Sequence, residues 1–225
     1  MTTPDVTLPL ALFDFDDTLS DRAGEFRNWA TKWIDRHDIN DPDALEWMCA
    51  TDDGGYLARD LFFRQAIDRF GMADSRQDLV DDYVLTAHDD YQADPGLYAK
   101  LEALIASGWR IGIVTNGGDG QDTKIDKVGI RPLLSCAVVS GNVGIRKPDP
   151  AIFHLAVEAA GGAGPEAPWM VGDNARNDII GGRDAGLQTI WISFGEPWTN
   201  VALPPDRVAV DLPSALGILS SRVPH

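Results

Sequence analysis

The chain has 225 residues, 44% of them hydrophobic, enough for one sizeable core or for a core with a smaller appendage. Its 19 Lys and Arg stand against 35 Asp and Glu, a formal charge of −16 that repels a nucleic-acid polymer or an anionic membrane at long range. Any phosphate-bearing ligand must therefore be held by local chemistry.

No stretch approaches the roughly 20 apolar residues that cross a bilayer, and the opening MTTPDVTLPL lacks a basic region followed by an apolar run. A cytoplasmic protein is expected. Cys49 and Cys136 stand far apart in dissimilar surroundings, which argues for two small buried residues rather than a disulfide or a zinc site. His37, His88, His154 and His225 show no metal-ligand spacing.

In chain order, Pro9 to Phe15 is a short apolar run that stops at charge, the pattern of a buried parallel strand. Runs of the same kind follow at Arg110 to Thr115, Cys136 to Val139, Trp169 to Gly172 and Thr189 to Ser193, with a weaker one at Arg207 to Val210. Helical stretches lie between them, at Gly96 to Ala106, Asp122 to Val128, Pro150 to Ala160 and Asp178 to Ala185. Strand and helix alternate, so the main domain is expected to be an α/β layer structure with right-handed crossovers.

Residues 21 to 93 break that rhythm. Phe26, Trp29, Ala30, Trp33, Ile34 and His37 recur at helical spacing, as do Phe63, Ile67 and Phe70, then Leu79, Tyr83 and Thr86. Asp41-Pro42 and the cluster Asp52 to Gly55 punctuate this segment as helix boundary and loop. The expected organisation is a core domain from residues 1–20 and 94–225, and a helical cap from 21–93.

In an open parallel sheet, ligands sit beyond the carboxyl ends of the strands. Asp14 and Asp16 end the first strand, Thr115 and Asn116 the second, and Asp173 the fourth, while Lys147 follows the third and Asp178 stands five residues past Asp173. One acidic pair at a strand end is an ordinary turn or cap. Four strand ends carrying DFDD, TNGG, RKPDP and GDNARND are not explained that way.

These four motifs, Asp14-Phe15-Asp16-Asp17-Thr18-Leu19, Thr115-Asn116-Gly117, Lys147-Pro148-Asp149-Pro150 and Gly172 to Asp178, resemble the haloacid dehalogenase superfamily, over residues 9 to 194. The resemblance implies a Rossmann-like three-layer core with a parallel sheet and the inserted four-helix cap of the type-I members. It implies phosphatase chemistry. Asp14 is then nucleophile and metal ligand, and Asp16 is acid and base, with its backbone carbonyl on the metal. Thr115, Asn116, Gly117 and Lys147 hold phosphate; Asp173 and Asp178 are further residues of the metal site, Asp178 also orienting Lys147 or a metal-bound water. The helix-start alternative for Asp178 stays open.

Elementary chemistry points the same way. Clustered carboxylates repel one another, and Mg²⁺, a hard cation that prefers oxygen, relieves the repulsion. Phosphoryl transfer spreads charge over equatorial oxygens, which a hydroxyl, an ammonium and backbone amides can receive. Asp17 is expected to meet backbone or solvent, and Thr18 to fix the turn that follows.

An acid at position 16 disfavours dehalogenation, and Lys32 alone in the helical segment is weak support for imine chemistry. Phosphatase and phosphomutase of the β-phosphoglucomutase type share the four motifs, and a non-catalytic binding protein on the same fold is the remaining alternative. The TNG and GDN forms are similar to the group containing pyrimidine 5'-nucleotidases and N-acylneuraminate-9-phosphatases. The expected partner is a small phosphorylated metabolite, and the expected state is monomer or homodimer. Arg22, Arg27, Arg59, Arg64 and the loop Asp53 to Tyr56 are candidate substrate contacts, while Trp29, Trp33 and Trp47 read as cap core. Cap movement is expected about joints at Leu19 to Gly24 and Ala93 to Gly96.

Overall fold

The computed structural model describes residues 8–87, 94–118 and 120–222. The chain divides into two units, Met1–Ser20 with Ala93–His225, and Asp21–Gln92. The boundary expected at 93 and the start of the joint at Ala93 lie outside the described residues.

The first unit is built on β1 (Leu10–Phe13), β2 (Arg110–Thr115), β3 (Cys136–Val139), β4 (Trp169–Gly172), β5 (Gln188–Ile192) and β6 (Arg207–Ala209). All six are parallel, in the order β3-β2-β1-β4-β5-β6. Segments such as LALF and WMVG are apolar at every position because both faces of such a sheet are covered. Leu10, Leu12, Val114 and Met170 turn to one face, where Ile152, Phe153 and Ala156 of one helix meet them. That helix, Pro150–Ala159, starts with Pro at its first position and with the Asp149 carboxylate accepting from the Ala151 amide at 2.9 Å. Helices Leu97–Ala106 and Leu212–Ser220 pack on each other and against β2, β5 and β6.

The chain leaves β1 for β2 and β3 on one side and returns to β4 on the other, so the strand order reverses beside β1. Phe13 is in register with Ile113 of β2 and Val171 of β4. Asp14, Thr115 and Asp173 therefore stand one or two residues beyond the same rung, at the crevice where such sheets bind ligands.

β1 is shorter than the apolar run suggests. It stops at Phe13, because the Phe15 carbonyl accepts from the amides of Leu19 at 2.8 Å and Ser20 at 3.0 Å, and Asp17 turns the chain at a φ of +57°. The helix expected from Asp178 begins earlier. It runs in π geometry over Ala175–Ile180 and continues to Asp184, with the Asn174 side chain as cap, accepting from Arg176 at 3.1 Å and Asn177 at 2.9 Å.

The second unit holds α1 (Arg22–Arg36), α2 (Ala44–Asp52), α3 (Arg59–Phe70) and α4 (Arg76–Thr86). Asp21 caps α1 and Ser75 caps α4 through their side chains. Phe26, Trp29, Ala30, Trp33, Met48, Phe62, Phe63, Ala66 and Leu79 form its core, with Trp47 partly buried against them. Asp52 reads as a loop residue in the sequence; it is instead the last residue of α2 and is 2% exposed. Arg22 and Arg59 each reach it at 2.6 Å. Arg27 pairs with Glu46.

Candidate active site

At the end of β1 the Asp14 amide donates to the Val171 carbonyl at 2.9 Å, which ties this residue to β4. Its Oδ1 accepts from the Phe15 amide at 2.7 Å and lies 2.8 Å from Lys147 Nζ. Lys147 is buried, and its ammonium also donates to Asp178 Oδ1 at 2.7 Å. Burial works to lower the Lys147 pKa, but Asp14 and Asp178 outweigh it and hold the ammonium above its ordinary value.

Asp178 is buried in the first turn of the π-helical segment that Asn174 caps, so it stands near a helix start and meets Lys147 as well. Its second oxygen accepts from the Asn174 amide at 2.9 Å, closing the loop after β4. Gly172 makes this possible: a Cβ there would stand 2.3 Å from Asp178 Oδ2. Burial and then the Asp14 charge push the Asp178 carboxyl up, against the pull of Lys147.

Asp173 is positioned by two side chains, one from the first motif and one from outside all four. Thr18 donates its hydroxyl to Oδ1 at 3.2 Å, and Trp191 of β5 donates its indole N–H to the main-chain carbonyl at 2.7 Å. Thr18 thus reaches the fourth motif besides shaping its own turn. Burial, then the charges of Asp14 and Asp17, push the Asp173 carboxyl up to about 7.

Asp14, Asp173 and Asp178 each offer an oxygen within 4.8 Å of the others. Such a group, with Asp173 and Asp178 both pushed toward neutrality by burial and then by neighbouring charge, is a donor set that fits a hard divalent cation. The Asp16 carboxylate lies elsewhere, on Lys124 and Gln121, at 2.9 Å from each.

Asn116 clamps the third motif. Its Nδ2 donates to the Lys147 carbonyl at 3.0 Å, and its Oδ1 accepts from the Lys147 amide at 2.9 Å. The Gly117 amide donates to Ser140 Oγ at 3.1 Å, so the side chain of Asn116 and the amide of Gly117 both have partners within the core. Thr115 is buried, with its hydroxyl oxygen accepting from Gln121 at 3.2 Å. Sequence reasoning passed over Gln121, Lys124, Ser140 and Trp191, which belong to none of the four motifs; the one signal was two polar residues on the inner face of a helix.

The profile of the haloacid dehalogenase-like hydrolases matches residues 11–192. The chain is 34% identical to a phosphoserine phosphatase of Thermus thermophilus over 159 residues, 68% of this chain and 62% of that protein. It is 39% identical to the pyrimidine 5'-nucleotidase YjjG of Escherichia coli over 100 residues, 44% of each. It thus spans less than two thirds of either relative. The HAD-hydrolase YfnB of Bacillus subtilis, in a crystal structure bound to magnesium, shares the fold at a TM-score of 0.80 and 22% identity, over 94% of this chain and 98% of that one. The chain belongs to the haloacid dehalogenase-like hydrolase family. No helix among the described residues is long and apolar enough to cross a membrane.

Proposed function

We propose that this protein is a Mg²⁺-dependent phosphatase of small phosphomonoesters that works through an aspartyl-phosphate on Asp14. The observation that carries the reading is the Asp14 carboxylate 2.8 Å from buried Lys147, within a three-carboxylate group that includes Asp173 and Asp178. The names of the relatives, a phosphoserine phosphatase and a pyrimidine 5'-nucleotidase, support a small phosphorylated metabolite as substrate.

Asp14, Asp173 and Asp178 would hold the cation. When bound, magnesium supplies positive charge against the phosphate oxygens and the carboxylates. The Asp14 carboxylate attacks phosphorus, forming the new P–O bond as the bond to the leaving alkoxide breaks, and Asp16 delivers a proton to that alkoxide. Asp16 then takes a proton from water as the water oxygen attacks the same phosphorus, releasing phosphate and restoring Asp14. Lys147 and the Thr115 hydroxyl receive the charge on the transferred oxygens. Asp178 and the Asn116 clamp keep Lys147 in position.

The test is a panel of phosphate esters assayed for inorganic phosphate with Mg²⁺ and with chelator. Activity is expected with metal only. Asp14→Asn is expected to abolish turnover while circular dichroism stays unchanged; activity equal to the wild type would remove Asp14 as nucleophile, and isomer without phosphate would indicate a mutase.

A further inference from the structure

Three side chains outside the four motifs lie against the Asp16 carboxylate: the Ser20 hydroxyl donates to Oδ1 at 3.4 Å, and the other two come from one helix. The helix Gly120–Val128 buries Gln121 and Lys124 beside Ile125 and Val128. An inward helix face is ordinarily apolar, and a buried ammonium is unfavourable unless a specific counter-charge meets it. Lys124, 8% exposed, meets one: its Nζ lies 2.9 Å from Asp16 Oδ1 and 3.2 Å from Oδ2. Gln121, 4% exposed, donates from a single nitrogen to Asp16 Oδ2 at 2.9 Å and to Thr115 Oγ1 at 3.2 Å.

The shared donor ties two elements together. Because the Thr115 oxygen accepts from Gln121, its own proton points elsewhere, as a hydroxyl that donates to phosphate requires. Gly117 keeps the space for this arrangement: a Cβ there would stand 2.8 Å from three carbons of the Gln121 side chain. The glycine of the TNG motif thus has a packing reason in this chain.

We propose that Gln121 and Lys124 are positioning residues for proton transfer, holding the Asp16 carboxylate at a set place relative to the Thr115 hydroxyl. The proposal rests on the phosphatase reading above. Asp16 must reach both the leaving oxygen and the attacking water, and Thr115 locates the phosphoryl group between them. One amide bridging both residues and one ammonium spanning both carboxylate oxygens restrict the rotation that would misplace the proton.

The test compares wild type, Lys124→Met, Lys124→Arg and Gln121→Leu on phenyl phosphate and p-nitrophenyl phosphate with Mg²⁺. On phenyl phosphate, whose leaving group needs a proton, Lys124→Met is expected to lower kcat about a hundredfold with KM within about twofold. On p-nitrophenyl phosphate, whose leaving group needs little help, stopped flow is expected to show a burst of nitrophenolate followed by slow turnover, because only the water step still depends on Asp16. Lys124→Arg is expected to recover most of the activity, and Gln121→Leu to show the same pattern at about a tenfold loss. Thermal melts check folding; should Lys124→Met not fold, Gln121→Leu carries the comparison. Equal losses on both probes without a burst, a raised KM at unchanged kcat, or full activity would overturn the positioning role alone. Wild-type protein inert toward both probes would overturn the phosphatase reading and this proposal with it.

Discussion

Lys147 shows how a single side chain is made dependable by what surrounds it. A lysine stem has four rotatable bonds, and its ammonium is placed only because carboxylates at 2.8 Å and 2.7 Å flank it and Asn116 holds its peptide through two hydrogen bonds. Asn116→Ala removes both bonds at once. The expected result is a fall in kcat of about tenfold to a hundredfold, the scale of a small misplacement at a reacting centre, with urea stability changed far less. Steady-state kinetics beside urea melts check it, and unchanged kcat would mean the loop holds its shape without the clamp. At this scale much was legible in the sequence. Asp14 and Asp173 stand just past strand ends, where local pattern and the crevice rule agree, while Lys147 and Asp178 follow in the connections after β3 and β4. Gln121 and Lys124 were not legible, because a polar residue on an inward helix face declares that a partner exists without saying which one.

Among the elements, α1, α2 and α3 are joined by a charge group as well as by aromatic packing. Asp52 ends α2 buried between Arg22 of α1 and Arg59 of α3, and the Arg59 guanidinium lies 4.4 Å from the Tyr83 ring centre on α4. Removing the central carboxylate leaves two guanidinium groups partly buried without their counter-charge. Asp52→Ala is expected to destabilise the protein by about 3 kcal/mol, measured by chemical denaturation, whereas Glu46→Ala, which loses an exposed pair with Arg27, is expected to change stability by less than about 1 kcal/mol. Equal effects would contradict the burial argument. The π-helical segment after β4 belongs to this scale as well: its early start brings Asp178 onto the helix's inner side, toward Lys147. The apolar run after Asp178 starts the helix there in the sequence; the Asn174 cap starts it one turn sooner and leaves Asp178 in the first turn.

For the whole molecule the consequence is a stability that depends on pH and metal together. The Asp173 carboxyl is raised from its ordinary 3.8 to about 7, so the folded protein binds a proton there that the unfolded chain has released. A raised carboxyl stabilises fully below about 4 and loses that contribution as pH climbs toward about 7. Metal-free protein is therefore expected to melt several degrees lower at pH 8 than at pH 5. Asp41, Asp94, Asp122 and Asp211 are lowered, chiefly by hydrogen bonds from Asp43, Lys100, Asn142 and Ser214, so they lose their contribution only below the ordinary carboxyl range. Mg²⁺ competes with that proton and is expected to raise the melting temperature more at pH 8 than at pH 5. Thermal melts with chelator and with Mg²⁺ at both pH values decide this; a metal-free protein more stable at pH 8, or a metal gain independent of pH, would contradict it.

By itself the sequence determined the parallel sheet, the helical stretch after its first strand and the order of four motifs, because burial on both faces forces continuous apolar runs and strand ends are local. Tertiary structure alone decided which distant side chains pair beyond the group of Asp14, Lys147 and Asp178. Lys124 and Asp16 are separated by 108 residues, Thr18 and Asp173 by 155, and Arg22 and Asp52 by 30. Periodicity reports that a side chain faces inward, but the partner that makes a buried charge tolerable is chosen by how distant segments come to lie side by side.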